Sequence, residues 1–163
     1  MIGFKRDSLF DDIGILEKRI FKENNFSITL DVGVPCLIWH LKGVPASSEF
    51  YRNSVISFMD CYAHFKPQLS KLQTIIDGSD VGGVRPKDLE WACQWWSNRV
   101  KEYGNTLFAM VKPKNVFGMA ALDTYLALPP SPWVNIAVFD NVSEAKNWIR
   151  NSNNNMPILN FSN

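Results

Sequence analysis

Few residues in this chain can do chemistry. The 163 residues include 2 histidines, His40 and His64, and 3 cysteines, Cys36, Cys61 and Cys93. A Cys–His pair can generate a thiolate nucleophile, and converging Cys, His and carboxylate groups can hold a metal ion. Cys61 and His64 stand at C-x-x-H spacing, but no second pair follows to complete a tetrahedral set, so no metal is expected. Each cysteine falls in an apolar strand or helix pattern, where a small buried hydrophobe is the ordinary explanation. His40 alternates onto the side of Cys36 and Ile38 and reads as a solvent-facing ring. Asp and Glu are scattered, with no obvious pair for acid–base work. The residues therefore read as non-enzymatic, with no cofactor.

The stretch Asp77, Gly78, Ser79, Asp80, Val81, Gly82, Gly83 is the most conspicuous motif candidate. A phosphate cradle needs a Gly-rich turn that opens directly onto a helix N-terminus, and a P-loop adds Lys with Ser or Thr. Here Pro86 intervenes, and neither G-x-G-x-x-G nor Gly-Lys-Ser/Thr is present. The stretch reads as a flexible strand-to-helix turn. The tryptophans say more. Trp96 belongs to an apolar helical stripe, whereas Trp91 and Trp95 form a second i,i+4 stripe turned away from it. Either a neighbouring element covers that second stripe or it is an exposed aromatic patch of the kind that marks partner sites.

The elements that must position these residues can be read from periodicity. Residues 26–32 alternate Phe26, Ile28, Leu30 and Val32 with polar positions, as a strand with one buried and one wet face does. A second strand over 34–42 follows Gly33, which makes an antiparallel hairpin; 15–22 fits an earlier strand turned by Asn24 and Asn25, while Ile13, Leu16 and Ile20 also fit a helix. From Ser47 the period changes: Tyr51, Val55, Phe58, Tyr62 and Phe65 mark a helix capped by Ser47 or Ser48. Residues 72–77 read as a buried strand, 78–86 as a loop, and 86–103 as a helix closed by Gly104. Then come a strand at 106–111, a helix at 115–128, a strand at 134–139, and a helix at 141–150 with Asn141 and Glu144 at capping-box spacing. The expected fold is therefore α/β, a mixed β-sheet in which an N-terminal antiparallel hairpin is followed by β-α crossovers, in one domain over 1–150. Residues 151–163, rich in Asn, read as a disordered polar tail whose apolar 156–161 could dock.

Composition narrows the partners. The 17 Lys+Arg against 16 Asp+Glu leave a formal charge of +1, which argues against a dedicated nucleic-acid binder. No apolar run reaches the roughly 20 residues of a membrane span, and no signal-peptide core follows Lys5 and Arg6. An odd, widely spaced set of cysteines fits reduced thiols and a cytoplasmic location.

Several landmarks fall in a recognisable order. A strand ends in Trp39, Lys42 and Gly43 and leads to Ser47, Ser48, Glu49, Tyr51 and Arg52. Next come a strand closing on Asp77, then Leu89, Glu90 and Trp91 on a helix, and Gly104 before an apolar strand. Phe139, Asp140, Glu144, Ala145 and Trp148 end the series. Over residues 17–150 the chain resembles a group of small bacterial proteins related in fold to STAS domains, the anti-sigma-factor-antagonist fold. The resemblance implies a regulatory binding module without catalytic machinery, and some STAS relatives bind nucleotides or other small ligands. The antagonists carry a phosphorylatable Ser in an Asp-Ser-Ser/Thr-Gly turn. Here Arg85, Pro86, Lys87 and Asp88 stand at that place, so the serine switch is missing.

The expectation is a non-enzymatic regulatory or protein-interaction module, monomeric or homodimeric, with an unidentified protein partner. Its expected binding surface comprises Asp77, Ser79, Asp80, Arg85, Lys87, Trp91 and Trp95. A small apolar-ligand or lipid binder is the first alternative, recognisable by a closed cavity under the 115–128 helix. A small enzyme is the second.

Overall fold

The computed structural model describes residues 16–104 and 106–155; expectations for 1–15 and 156–163 lie outside the described residues. Three strands come first: β1 (Glu17–Glu23), β2 (Phe26–Asp31) and β3 (Cys36–Gly43). Helices then alternate with strands: α1 (Ser48–Phe65), β4 (Gln73–Val81), α2 (Pro86–Val100), β5 (Thr106–Val111), α3 (Val116–Leu126), β6 (Val134–Phe139) and α4 (Val142–Asn155). One six-stranded sheet forms in the order β1-β2-β3-β4-β5-β6. The first three strands pair antiparallel and the last four parallel, so the sheet is mixed, as the early hairpin and the later crossovers require. Asn24 takes a positive φ of 36° in the β1–β2 turn, a conformation that Asn tolerates better than most residues.

Each crossover moves one strand further along the sheet, so a constant handedness places α1, α2 and α3 on the same face. The buried residues agree. Phe58 of α1, Trp96 of α2 and Ala121 of α3 share a core with Trp39 and Phe108, which project from the sheet. The opposite face carries Cys36, Ile38, Ile75 and Ala109, packed by Ala145 and Ile149 of α4. The caps form as the sequence predicts. The Phe50 amide donates to Ser47 Oγ at 3.0 Å, and the Glu144 amide donates to Asn141 Oδ1 at 2.9 Å.

Three local expectations change. Strand β2 is buried on both faces rather than one: Thr29 and Asp31 are both 6% exposed. Asp31 is tolerated there because the amides of Gly33 and Val34 donate to its Oδ1 at 2.8 and 3.0 Å, while Lys146 Nζ lies 2.8 Å from Oδ2. Strand β4 does not stop at Asp77 but runs to Val81, held by parallel pairing of Lys42 with Asp80 and Gly43 with Val81. The glycine-rich stretch is therefore mostly strand, and the loop shrinks to residues 82–85.

The polar tail also begins later than position 151. Helix α4 continues to Asn155, because Asn153 is 4% exposed and works as a buried strut. Its Oδ1 accepts from Gln73 Nε2 at 3.1 Å, and its Nδ2 donates to the Lys71 carbonyl at 3.1 Å. Gln73 Oε1 in turn accepts from the Leu107 amide at 2.8 Å, which ties α4 to two strands. Replacing Asn153 by Ala leaves these groups buried and unpaired and should cost about 1–3 kcal/mol in urea unfolding. An unchanged unfolding midpoint would show that the strut carries no stability.

Candidate functional site

The residues expected to form the binding surface do not converge. Asp77 points to the α4 face, since it is in register with His40 and Val111 there, whereas Trp91 and Trp95 pack against the opposite core. Ser79 and Asp80 lie at the end of β4, where Asp80 meets Lys114 at 3.3 Å in solvent. Arg85 and Lys87 open α2 as exposed side chains. Trp91 and Trp95 are neither fully buried nor a bare patch. Their rings stack at 5.7 Å and 18°, with Arg52 5.1 Å over Trp91 and Arg99 5.3 Å over Trp95. The stripe is thus a stacked pair of rings with a guanidinium at each end, shared between α1 and α2.

Two polar clusters escaped the sequence reading. Asp88 is 1% exposed and accepts from Ser48 Oγ at 2.7 Å and Arg52 Nε at 3.1 Å, locking the start of α1 to the start of α2. His40 is only partly exposed, because its Nδ1 lies 2.9 Å from Asp77 Oδ2 and its Nε2 lies 3.3 Å from Thr29 Oγ1. Only the period-2 alternation of β3 and β4 hinted at this pairing, and the 37 residues between His40 and Asp77 hid it. Burial pushes the Asp77 carboxyl up, but hydrogen bonds from His40 and Ser79 outweigh it and hold the pKa down to about 2.

Burial disfavours the thiolate at each cysteine. Burial pushes Cys36 and Cys61 up to about 12, and Cys93 is also raised by burial. Cys36 and His40 share a strand face, but four residues of strand separate them by about 13 Å. Among the described residues no group of three His, Cys, Asp or Glu side chains could hold a metal ion.

A cavity of about 90 Å³ lies where α1, α2 and α3 meet the sheet. Trp39 and Phe108 rise from the strands, Tyr51 and Trp96 come from α1 and α2, and Ala121 and Tyr125 come from α3. Ring contacts run through it: Trp39 stacks on Phe58 at 6.0 Å, Phe58 stacks on Trp96 at 5.7 Å, and Trp96 meets Phe108 at 5.5 Å with the planes tilted by 57°. Gly118 sets the height of α3. A Cβ at this position would come 2.4 Å from the Val81 carbonyl oxygen and 2.5 Å from Pro113 Cβ. The Asn115 side chain closes the same contact, donating to the Val81 carbonyl and accepting from the Gly118 amide. No charged side chain is among the described residues that line the cavity. Burial drives the Tyr51 and Tyr125 hydroxyls well above their ordinary pKa, so both are neutral.

Two buried polar atoms of residues that line the cavity are unsatisfied. Trp39 and Trp96 are 6% and 5% exposed, and neither indole Nε1–H has a hydrogen-bond partner among the described residues. Indole is a donor only, and buried donors are nearly always paired. A wider groove of about 390 Å³ runs between α2 and residues 129–133, but polar and proline side chains line it and neither orphaned indole does. No family model matches this chain, and no curated protein or solved structure matches it either.

The Asp77 contact predicts a pH dependence. Its folded pKa lies below the ordinary value of 3.8, so the stabilisation is present above about pH 4 and is lost as pH falls toward 2. Between pH 5 and pH 2 the wild-type protein should lose roughly 1–2 kcal/mol of unfolding free energy that Asp77→Asn does not lose. Parallel acid limbs for the two proteins would contradict the assignment.

Proposed function

We propose that this protein is a non-enzymatic binding module that takes a small apolar ligand in the cavity beneath α3. The observation that carries this reading is the cavity itself, walled by aliphatic and aromatic side chains with no charged group among the described lining residues. Small-molecule sites have this make-up: a mostly hydrophobic hollow with a few polar groups that fix orientation. The dispersed His and Cys residues and the protonated state of the thiols support a binding role over a catalytic one.

The STAS-like order of landmarks supports a regulatory use, in which occupancy of the cavity is reported to a protein partner without a serine switch. The outer face of α1 and α2, with its Arg-flanked Trp pair and the exposed Arg85 and Lys87, is the surface such a partner would read. A cytoplasmic location belongs to the same proposal and agrees with three unpaired cysteines. No helix among the described residues is long and apolar enough to cross a membrane.

Thermal unfolding with a panel of small neutral cyclic and aromatic molecules tests the binding role. A ligand at 100 times its Kd adds about 2.7 kcal/mol, which for a domain of this size raises Tm by roughly 5–10 °C. The variant Ala121→Leu fills the cavity from α3 and should abolish the rise. A panel without effect, or a rise that persists in Ala121→Leu, would contradict the proposal.

A further inference from the structure

We propose that the rim at the C-terminal ends of β3, β4 and β5 is a membrane-contacting tip, in which Phe117, Val116 and Val44 enter the interface of an anionic lipid bilayer and neighbouring cations hold its phosphate headgroups. None of these three side chains lines the cavity beneath α3, so the tip does not depend on a ligand there.

The apolar residues of the tip sit together in water. Val116 is 80% exposed, Phe117 76% and Val44 60%, and none of them packs with either core. Val44 follows β3, Gly82 and Gly83 follow β4, and Val116 and Phe117 open α3 after β5. A Cβ on Gly82 would come 3.0 Å from Val44 Cγ2, and one on Gly83 would come 3.5 Å from Phe117 Cβ, so the two glycines bridge the apolar side chains. The first turn of α3 is fixed in a way that holds them outward. Gly118, Ala121 and Leu122 form its buried side, and the Asn115 side chain caps it by accepting from the Gly118 amide. Phe117 therefore has no part in the fold, and exposed apolar clusters of this kind mark partner or membrane sites.

Charge and size decide between those two. The chain as a whole carries +1, yet residues 42–47, 80–87 and 112–117 hold Lys42, Arg85, Lys87, Lys112 and Lys114 against Asp80 alone. Each of these cations lies within four residues of Val44, Gly83 or Val116. Asp140 and Glu49 border the rim and leave the excess positive. Lys114 meets Asp80 at 3.3 Å and Lys112 meets Asp140 at 2.8 Å, exposed pairs of small strength that a lipid phosphate can replace. Lys42 and Lys87 have no acidic partner among the described residues. A stable protein interface takes about 20–30 residues a side, far more than three protruding side chains supply. A bilayer needs only apolar groups that pass the headgroups and cations beside them.

Co-sedimentation of the full-length chain tests this, with vesicles of phosphatidylcholine alone or mixed equally with phosphatidylglycerol. The anionic vesicles should bind it at least about tenfold more tightly than the neutral ones, and added salt should release it. Phe117→Ser should weaken binding to the anionic vesicles roughly tenfold, as withdrawing an aromatic side chain from an apolar phase does. Lys42→Gln combined with Lys87→Gln should also weaken it roughly tenfold and narrow the preference for anionic lipid. Thermal unfolding of these variants should match the wild type, because the altered side chains are exposed. Should Phe117→Ser fail to fold, Val44→Ser replaces it, with an expected loss of roughly fivefold. Absence of binding to anionic vesicles, equal binding to both compositions, or binding that survives the Phe117 and Val44 substitutions would each overturn the proposal. So would self-association in sedimentation equilibrium that Phe117→Ser abolishes while vesicles bind nothing, since the tip would then be a contact between copies of this chain.

Discussion

The strand order dictates most of what this molecule can be. Because each parallel strand is laid beside the last, α1, α2 and α3 have to share one face of the sheet, and only α4, which follows the final strand, is free to cover the other. The crowded face must be filled by large side chains reaching between three helices and six strands. Aromatic rings do this, with Trp39, Phe58 and Trp96 stacked in sequence and Phe108 tilted against Trp96. The lone helix on the other face needs only small and branched partners, among them Cys36, Ile38, Ala109 and Ala145.

Flat, rigid rings fill a three-helix junction less completely than branched aliphatic side chains, because each has few rotamers and prefers offset or edge contacts. The close seat of α3 adds to this. Gly118 lets its first turn rest on the end of β4, and Ala121 supplies little bulk where the helix passes over the rings. The hollow is what remains. Polar struts hold the frame around it: Asp88 joins the starts of α1 and α2, Asp31 anchors Lys146, and Asn153 ties α4 to Gln73. Each is buried but paired, so each adds specificity at little net cost.

Much of this architecture was legible in the residues. Alternation over 26–42, the Tyr51-to-Phe65 stripe and the capping pair Asn141 and Glu144 predicted elements that the structure contains, because these signals arise from contacts close in sequence. What was missed arises from distant contacts. The extension of β4 to Val81 depends on pairing with β3, the burial of Asn153 depends on Gln73, and the His40–Asp77 pair depends on register. The expected surface of Asp77, Ser79, Asp80, Arg85, Lys87, Trp91 and Trp95 combined neighbours in sequence that the sheet splits between its two faces. The cavity itself left only a faint trace: small residues at Gly118 and Ala121 in a helix, opposite a stripe bearing Trp96.

Ligand binding depends on the apolar hollow beneath α3. Xenon reports this directly, since it enters apolar cavities of this kind without needing a polar partner. A crystal pressurised with xenon should show one strong peak bounded by Trp39, Trp96 and Ala121, and the peak should vanish in Ala121→Leu. Continuous side-chain density through that volume, with no xenon bound there, would contradict the account.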